Sequence, residues 1–356
     1  MTMQIRFERN LNPKAKPTDQ TKLGFGQIFT DHMFVMDYVE GNGWMDPRIV
    51  PYGPLALDPA TSVFHYGQTI FEGLKAYRTA NGSIQLFRPH ANMKRINLSN
   101  DRMVIPVIDE EFAVGAVKKL VDIERDWVPS APGTSLYIRP FIFATDPYLG
   151  VRASKTYKFI VILSPSGAYY PKGLDPVDIF VENHYVRAVK GGTGSAKTAG
   201  NYASSLKSQT EAYAKGFVQV LWLDGIERRY IEEVGAMNVF FRFGDELVTP
   251  ALEGSILPGI TRDSVLTLAK SWGLKAAERR ITIDEVAEQH DAGRLTEVFG
   301  SGTAAVISPV GCLVWNDKRM CLNEGRIGPW SQRFYDALIG IQYGTQPDPF
   351  GWIETV

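Results

Sequence analysis

Residues 190–207 read KGGTGSAKTAGNYASSLK, and the role given to Lys197 within them decides how the whole chain is read. Gly191 to Thr198 nearly reproduces GxxxxGK[ST], a loop whose lysine grips a nucleotide phosphate. A β-rich run, VDIFVENHYVRA, precedes it and a helical pattern follows, as such a loop requires. VQVLWLD, ending at Asp224, would be the metal-binding strand of that fold. Three features oppose this nucleotide reading. Ala196 stands where the glycine next to the lysine belongs, and there the backbone must wrap the phosphates. Asp224 is followed by Gly225 and a second β-rich run, which is hairpin chemistry. The chain before Lys190 is also left without a role.

The other reading makes the Lys197 amine the reactive group. A lysine amine forms a C=N bond with an aldehyde when its surroundings lower its proton affinity. The small neighbours Gly194, Ser195, Ala196, Ala199 and Gly200 let a flat cofactor lie against the backbone. Pyridoxal phosphate is the aldehyde cofactor with that demand. It also needs an acid at its ring nitrogen, a donor to its ring oxygen and a phosphate cup.

Working outward, the first half of the chain reads as strands with a few helices. HMFVMDYVEGNGWMD and LKAYRTANGSIQLFR each carry a Gly/Asn turn between apolar runs, a hairpin signal. RPHANMKRINLSNDRM predicts a helix with Pro89 in its first turn. IDEEFAVGAVKKLVDIERDWV predicts another, N-capped by Asp109, with Phe112, Ala113, Ala116, Val117 and Leu120 at helical spacing. PSGAYYPKGLDP, from Pro165, is the strongest linker candidate. After it come a helix from Tyr202 to Lys215 stopped by Gly216, two strands around Asp224-Gly225, and helices in ITRDSVLTLAKSWG, TIDEVAEQH and SQRFYDALIGIQYG. The class is therefore α/β (α+β) in two domains. A small N-terminal α/β domain spans 1–166, an interdomain linker 167–177, and a large C-terminal domain carrying Lys197 spans 178–356.

At 356 residues the chain has room for two domains of ordinary size. A net charge of −1 gives no pull toward nucleic acid or an anionic membrane. No apolar run is long enough to span a bilayer, and the first residues lack the apolar core of an export signal, so a cytoplasmic chain is expected. The histidines have no ligand spacing, and no protein-bound metal is expected. Cys312 and Cys321 form no CxxC pair and read as free thiols in a reducing compartment.

The ordered series FTDHM, HYGQTIFEGLKAYR, LFRPHANMKR, LYIRP, GSAKTAGNYASS, EVGAMNVF, ILPGITR, FGSGTAAVISPV and IQYG resembles the branched-chain aminotransferases. These are fold-type IV pyridoxal-phosphate enzymes (D-amino acid aminotransferase-like), with the cofactor at the domain interface. The resemblance implies that Lys197 is the cofactor lysine, freed by substrate to move a proton at the substrate Cα. Tyr202 would bond the phenolic oxygen; read alone, it is more often a core aromatic at a helix start. In YIEEVGAMN, Glu232 and Glu233 point to opposite faces of a strand. The family register selects Glu233 as the ring-nitrogen acid and leaves Glu232 as a solvated strand carboxylate. Ile260 and Thr261, at a helix N-terminus, would bind the phosphate with Thr303 and Arg95.

For substrate, the resemblance implies an aromatic pocket from Phe25, Tyr66, Phe71, Tyr137 and Tyr169, each of which is otherwise plain core. Arg139, on the face of Tyr137, would read the second carboxylate of glutamate, and Ala304 would offer a backbone N–H to the α-carboxylate. Leu149 and Val151 match residues inserted into a neighbouring subunit, which implies a homodimer. The implied reaction is reversible exchange of the amino group between leucine, isoleucine or valine and 2-oxoglutarate, by a ping-pong route through pyridoxamine phosphate. The alternatives are a D-amino acid aminotransferase or aminodeoxychorismate lyase of the same fold type. Two departures stand out: Ala305 and Ser308 replace the Cys-x-x-Cys of mammalian members, and Ala236 replaces a threonine.

Overall fold

The computed structural model describes residues 3–167 and 174–356. The chain divides into two compact units: Met1–Tyr169 with Ala196–Ala199 and Gly340–Val356, and Tyr170–Ser195 with Gly200–Ile339.

The first unit holds β1 (Arg6–Phe7), β2 (His32–Val39), β3 (Gly43–Pro51), α1 (Ser62–Tyr66), β4 (Thr69–Phe71), β5 (Leu74–Arg78) and β6 (Ile84–Phe87). It continues with α2 (Pro89–Arg102), α3 (Glu110–Ile123), β7 (Ser135–Ala144) and β8 (Thr156–Ser166). Its sheet runs β1-β3-β2-β8-β7-β5-β6 and ends on the C-terminal strand Ile353–Thr355, with β4 added onto β7. Both predicted hairpins form, β2 with β3 and β5 with β6. The α3 cap also forms, with the Asp109 carboxylate accepting the Phe112 N–H at 2.7 Å. The stripe Ala113, Ala116, Val117 and Leu120 is fully buried against Phe34, Met36 and Phe159. Alternation along β7 puts Leu136 and Ile138 into this core and turns Tyr137 and Arg139 to the other face.

The second unit holds β9 (Val177–Val181), α4 (Ala199–Ala203), α5 (Leu206–Ala214), β10 (Gln219–Leu223), β11 (Ile231–Val234), β12 (Met237–Phe243) and β13 (Glu246–Thr249). Then come α6 (Ile260–Ser271), β14 (Lys275–Glu278), α7 (Ile283–Asp291), β15 (Leu295–Gly302), β16 (Val306–Trp315), β17 (Lys318–Cys321) and α8 (Pro329–Gln342). The sheet order is β11-β10-β9-β16-β15-β12-β13-β14, with β17 on β16. An added β11–β12 pairing joins β11, β10, β9, β16, β15 and β12 into a closed ring.

Two expectations are corrected here. The single helix from Tyr202 to Lys215 is two, α4 and α5. At the break the Ser204 hydroxyl donates to the Asn201 carbonyl at 3.0 Å and the Ser205 hydroxyl to the Tyr202 carbonyl at 2.7 Å. Serines in this position compete with the helical ladder for its carbonyls. Cys312 and Cys321 are not free thiols but a disulfide. The antiparallel β16–β17 register sets them directly opposite, with Cα atoms 4.0 Å apart, a closeness that spacing in sequence cannot reveal. Among the described residues no helix is long and apolar enough to cross a membrane.

Candidate active site

Within the first unit, Lys197 is strapped to β4. Its N–H donates to the Ser99 hydroxyl at 3.0 Å and its carbonyl accepts the Phe71 N–H at 3.0 Å. The next residue, Thr198, bridges Ile70, and its hydroxyl donates to the Thr69 carbonyl at 2.7 Å. The Lys197 Nζ lies 4.9 Å from the centre of the Phe71 ring. The chain around the lysine is pinned at its base, where Thr193 Oγ1 donates to Asn201 Oδ1 at 2.7 Å and Asn201 Nδ2 to the Thr193 carbonyl at 2.8 Å. Gly194 has to be a glycine, because a Cβ there would stand 2.0 Å from the Ser255 carbonyl oxygen.

Arg95 is not the surface charge its helix pattern suggests. It is buried and grips Glu72, with Nε to Oε1 at 2.7 Å and Nη2 to Oε2 at 2.9 Å. Asn92 Nδ2 adds a bond to the same carboxylate at 2.8 Å. Burial pushes the Glu72 proton affinity up, but the charge and hydrogen bonds of Arg95, the nearby Lys197 charge and Asn92 outweigh it and hold the carboxyl below the ordinary glutamate range. A depressed carboxyl lends the fold stability that is complete above its unfolded value and lost as pH falls through its folded one. Wild-type protein is therefore expected to lose urea resistance steeply below about pH 4.5, and Glu72→Gln to follow a flatter pH profile. At neutral pH that variant should be weaker by about 3–5 kcal/mol, the usual effect of breaking a buried ion pair. Urea titrations at a series of pH values check both; parallel pH profiles would show that the carboxylate is not ionised in the fold.

On the other face of the same sheet, Tyr137 and Arg139 stand together. The Arg139 Nη2 donates to the Tyr137 hydroxyl at 2.9 Å, and its guanidinium lies over the Phe71 ring at 4.6 Å and the Tyr137 ring at 5.2 Å. Its Nε is buried without a hydrogen-bond partner among the described residues. Phe25 packs edge-on to Tyr137 at 4.9 Å. Gly73 leaves room for the Tyr137 hydroxyl, which would sit 2.1 Å from a Cβ at that position. Phe25, Phe71, Tyr137 and Arg139 are thus brought together. Tyr66 stands apart from them, 43% exposed, and donates its hydroxyl to the Leu149 carbonyl. Leu149 and Val151 are exposed, as expected of residues offered to another surface. Tyr169 lies outside the described residues.

Within the second unit, β11 carries the paired carboxylates. Glu233 is 2% exposed, ion-paired to the buried Arg187, and accepts Asn238 Nδ2 at 3.2 Å. The Arg187 guanidinium lies 5.9 Å from the centre of the Tyr202 ring, so one arginine serves both residues. Glu232 is not solvated. It is 9% exposed and accepts the Ser255 hydroxyl, and burial raises its proton affinity, with Glu233 and Asp224 adding to the rise. Asp224 caps its own turn, accepting backbone N–H groups from Ile226, Glu227, Arg229 and Tyr230, which is hairpin work and not metal binding.

Ile260 and Thr261 open α6, whose N-cap Gly259 offers no side-chain cap. A Cβ on Gly259 would meet Asn238 Oδ1 at 1.9 Å, so this helix start is fitted against the partner of Glu233. Thr303 and Ala304 form the turn between β15 and β16, and the adjoining Ser301 has a buried hydroxyl with no hydrogen-bond partner among the described residues. Glu72, Arg187 and Asn238 escaped the sequence reading. Glu72 lies inside the quoted FEG block, which was the available signal; Arg187 and Asn238 are found only through their partner.

Residues 69–311 match the family model described as Amino-transferase class IV. The chain is 60% identical to branched-chain-amino-acid aminotransferase 2 of Bacillus subtilis, covering all of this chain and 98% of that protein. It is 56% identical to branched-chain-amino-acid transaminase 1 of the same organism, covering both chains in full. The Escherichia coli branched-chain amino acid aminotransferase structure aligns with a TM-score of 0.75 at 28% identity, over 90% of this chain and 98% of that one. The T.th. branched-chain amino acid aminotransferase with pyridoxamine 5'-phosphate aligns with a TM-score of 0.72 at 26% identity, over 90% of this chain and 97% of that one.

Proposed function

Because this chain belongs to the class IV aminotransferases, as a branched-chain aminotransferase, we propose that it exchanges the amino group of L-leucine, L-isoleucine or L-valine with 2-oxoglutarate on pyridoxal phosphate. The observation that carries this reading is full-length 60% identity to a branched-chain-amino-acid aminotransferase, joined to a buried acid, Glu233, fixed by Arg187 and Asn238. That identity favours it over a D-amino acid aminotransferase or a lyase of the same fold.

The residues fit the cofactor. A pyridine nitrogen calls for a carboxylate beside it in a dry place, and Glu233, buried and ion-paired to Arg187, offers one. A phosphate needs backbone donors at a helix start and hydroxyls, which Ile260, Thr261 and Thr303 supply, with Arg95 as the family's phosphate arginine. When bound, pyridoxal phosphate supplies an electron sink for the substrate Cα. Lys197 then uses its Nζ to take the Cα proton and return it on the cofactor side. Tyr202, with Arg187 near its ring, would donate to the phenolic oxygen. The Ala304 N–H holds the α-carboxylate, and Phe25, Phe71 and Tyr137 exclude water from an aliphatic side chain.

The exposed apolar residues Phe64, Tyr66, Leu149 and Val151 favour a homodimer in which Leu149 and Val151 complete a neighbour's pocket. We place the reaction in the cytoplasm. There the Cys312–Cys321 bond would face a reducing pool.

A screen of amino donors with 2-oxoglutarate tests the reaction. Turnover of the three branched-chain L-amino acids supports it, and turnover of D-amino acids alone overturns it. Arg139 gives a sharper test, since glutamate has a second carboxylate and leucine does not. Arg139→Ala should raise KM for glutamate by about tenfold to a hundredfold, the range for losing a charged hydrogen bond, and change KM for leucine far less. Equal losses would make Arg139 a packing residue for Phe71 and Tyr137.

A further inference from the structure

Behind β11, on the side away from Glu233, the second unit carries a cleft of about 510 Å³, its open mouth included. None of its lining residues belongs to the machinery described above. Like most small-molecule sites it is concave and sets a few polar groups among apolar ones. Its polar floor is Glu232 with Ser255. Its rim carries two cations: Arg280, stacked 3.3 Å over the Tyr230 ring, and Lys190, paired with Glu253 at 3.7 Å. Arg280 is only loosely offset, by Glu227 at 3.6 Å, and its side chain is 45% exposed. Ile256, Ala251 and Ile226 supply its apolar surface, the last left 80% exposed to water.

That mixture selects a ligand class. A plain anion meets Glu232 and Asp224, and a plain cation meets Arg280, the Lys190 charge being offset by Glu253. A wholly apolar molecule leaves the floor acid without a polar partner, which is costly once water is displaced. A small zwitterion with an aliphatic tail satisfies all three surfaces. We infer that this cleft is a second binding site for an aliphatic α-amino acid, its ammonium on Glu232, its carboxylate on Arg280 and its side chain against Ile226 and Ile256.

Occupancy has two short routes to the reactive residues. Glu232 immediately precedes Glu233 on β11. Ser255, its hydrogen-bond partner, presses its carbonyl on Gly194, where no Cβ fits, in the chain leading to Lys197. An amino acid in the cleft therefore bears on the neighbour of the ring-nitrogen acid without occupying the place of the substrate.

Calorimetric titration of the borohydride-treated holoenzyme with L-leucine tests this, because reduction blocks exchange at Lys197. Saturable binding is expected, weakened at least tenfold by Arg280→Ala and by Ile226→Ser, both exposed positions whose replacement leaves the fold intact. Isocaproate, lacking the ammonium, and isoamylamine, lacking the carboxylate, should each bind at least tenfold more weakly than leucine. An absence of heat, or binding unchanged in both variants, overturns the inference, as does isocaproate binding that matches leucine and falls equally in Arg280→Ala. The measurement reads binding and not turnover, so its failure leaves the transamination reading standing, and failure of the donor screen leaves this one standing.

Discussion

Lys197→Ala is expected to abolish covalent cofactor attachment and to lower leucine turnover on the order of ten-thousand-fold, the upper range for removing a proton-transferring group. The loss shows first in the spectrum, as disappearance of the long-wavelength absorbance of a lysine-bound aldehyde cofactor. The fold should survive. Lys197 is anchored to β4 through its backbone N–H and carbonyl, which alanine keeps. The control is Lys207→Ala: that ammonium is 67% exposed and pairs with Glu211 one turn away, so spectrum and rate should both hold. Equal damage from the two substitutions would mean that the assay reports folding and that Lys197 carries no chemistry.

The second large effect is expected at Glu233. Glu233→Gln keeps shape and most hydrogen bonding but removes the charge that would hold a pyridine nitrogen protonated. Turnover should fall by about a hundred- to a thousandfold, the scale seen when one preorganised electrostatic partner is deleted, while lysine attachment of the cofactor persists. The same change leaves Arg187 buried without its carboxylate, at a cost of about 3–5 kcal/mol of stability. Glu233→Asp separates the two effects, because it keeps the charge and moves it. Its melting temperature and its half-reaction rate with L-leucine should both lie between wild type and Glu233→Gln. A Glu233→Gln enzyme within threefold of wild type would make Glu233 an anchor for Arg187 only.

These residues differ in how openly the sequence displayed them. The hairpins of β2–β3 and β5–β6, the Asp109 cap and the stripe of α3 are local features, set by residues a few positions apart, and the chain displayed them directly. Lys197 stood out because its small neighbours form a continuous run. Choosing Glu233 over Glu232 needed the family register, since alternation says only that the two face apart. What stayed hidden was tertiary. A glutamate such as Glu72 or an arginine such as Arg187 reads as surface until its buried partner is known, and those partners lie far along the chain. Glu232 was misread for the same reason: nothing near it in sequence announces Ser255. The disulfide depends on a strand register, and the return of the C-terminal strand to β6 on a sheet edge; neither leaves a periodic trace.

The pairing of β11 with both β10 and β12 bears on chemistry as well as architecture. Sliding β11 by a single position would exchange the faces of its acidic doublet, turning Glu232 to the side proposed for the cofactor and Glu233 into the cleft. A strand hydrogen-bonded along both margins cannot slide without breaking two ladders at once. The fold thus protects catalytic identity against misalignment, and the unpaired margin where further chains could add themselves lies elsewhere in the molecule.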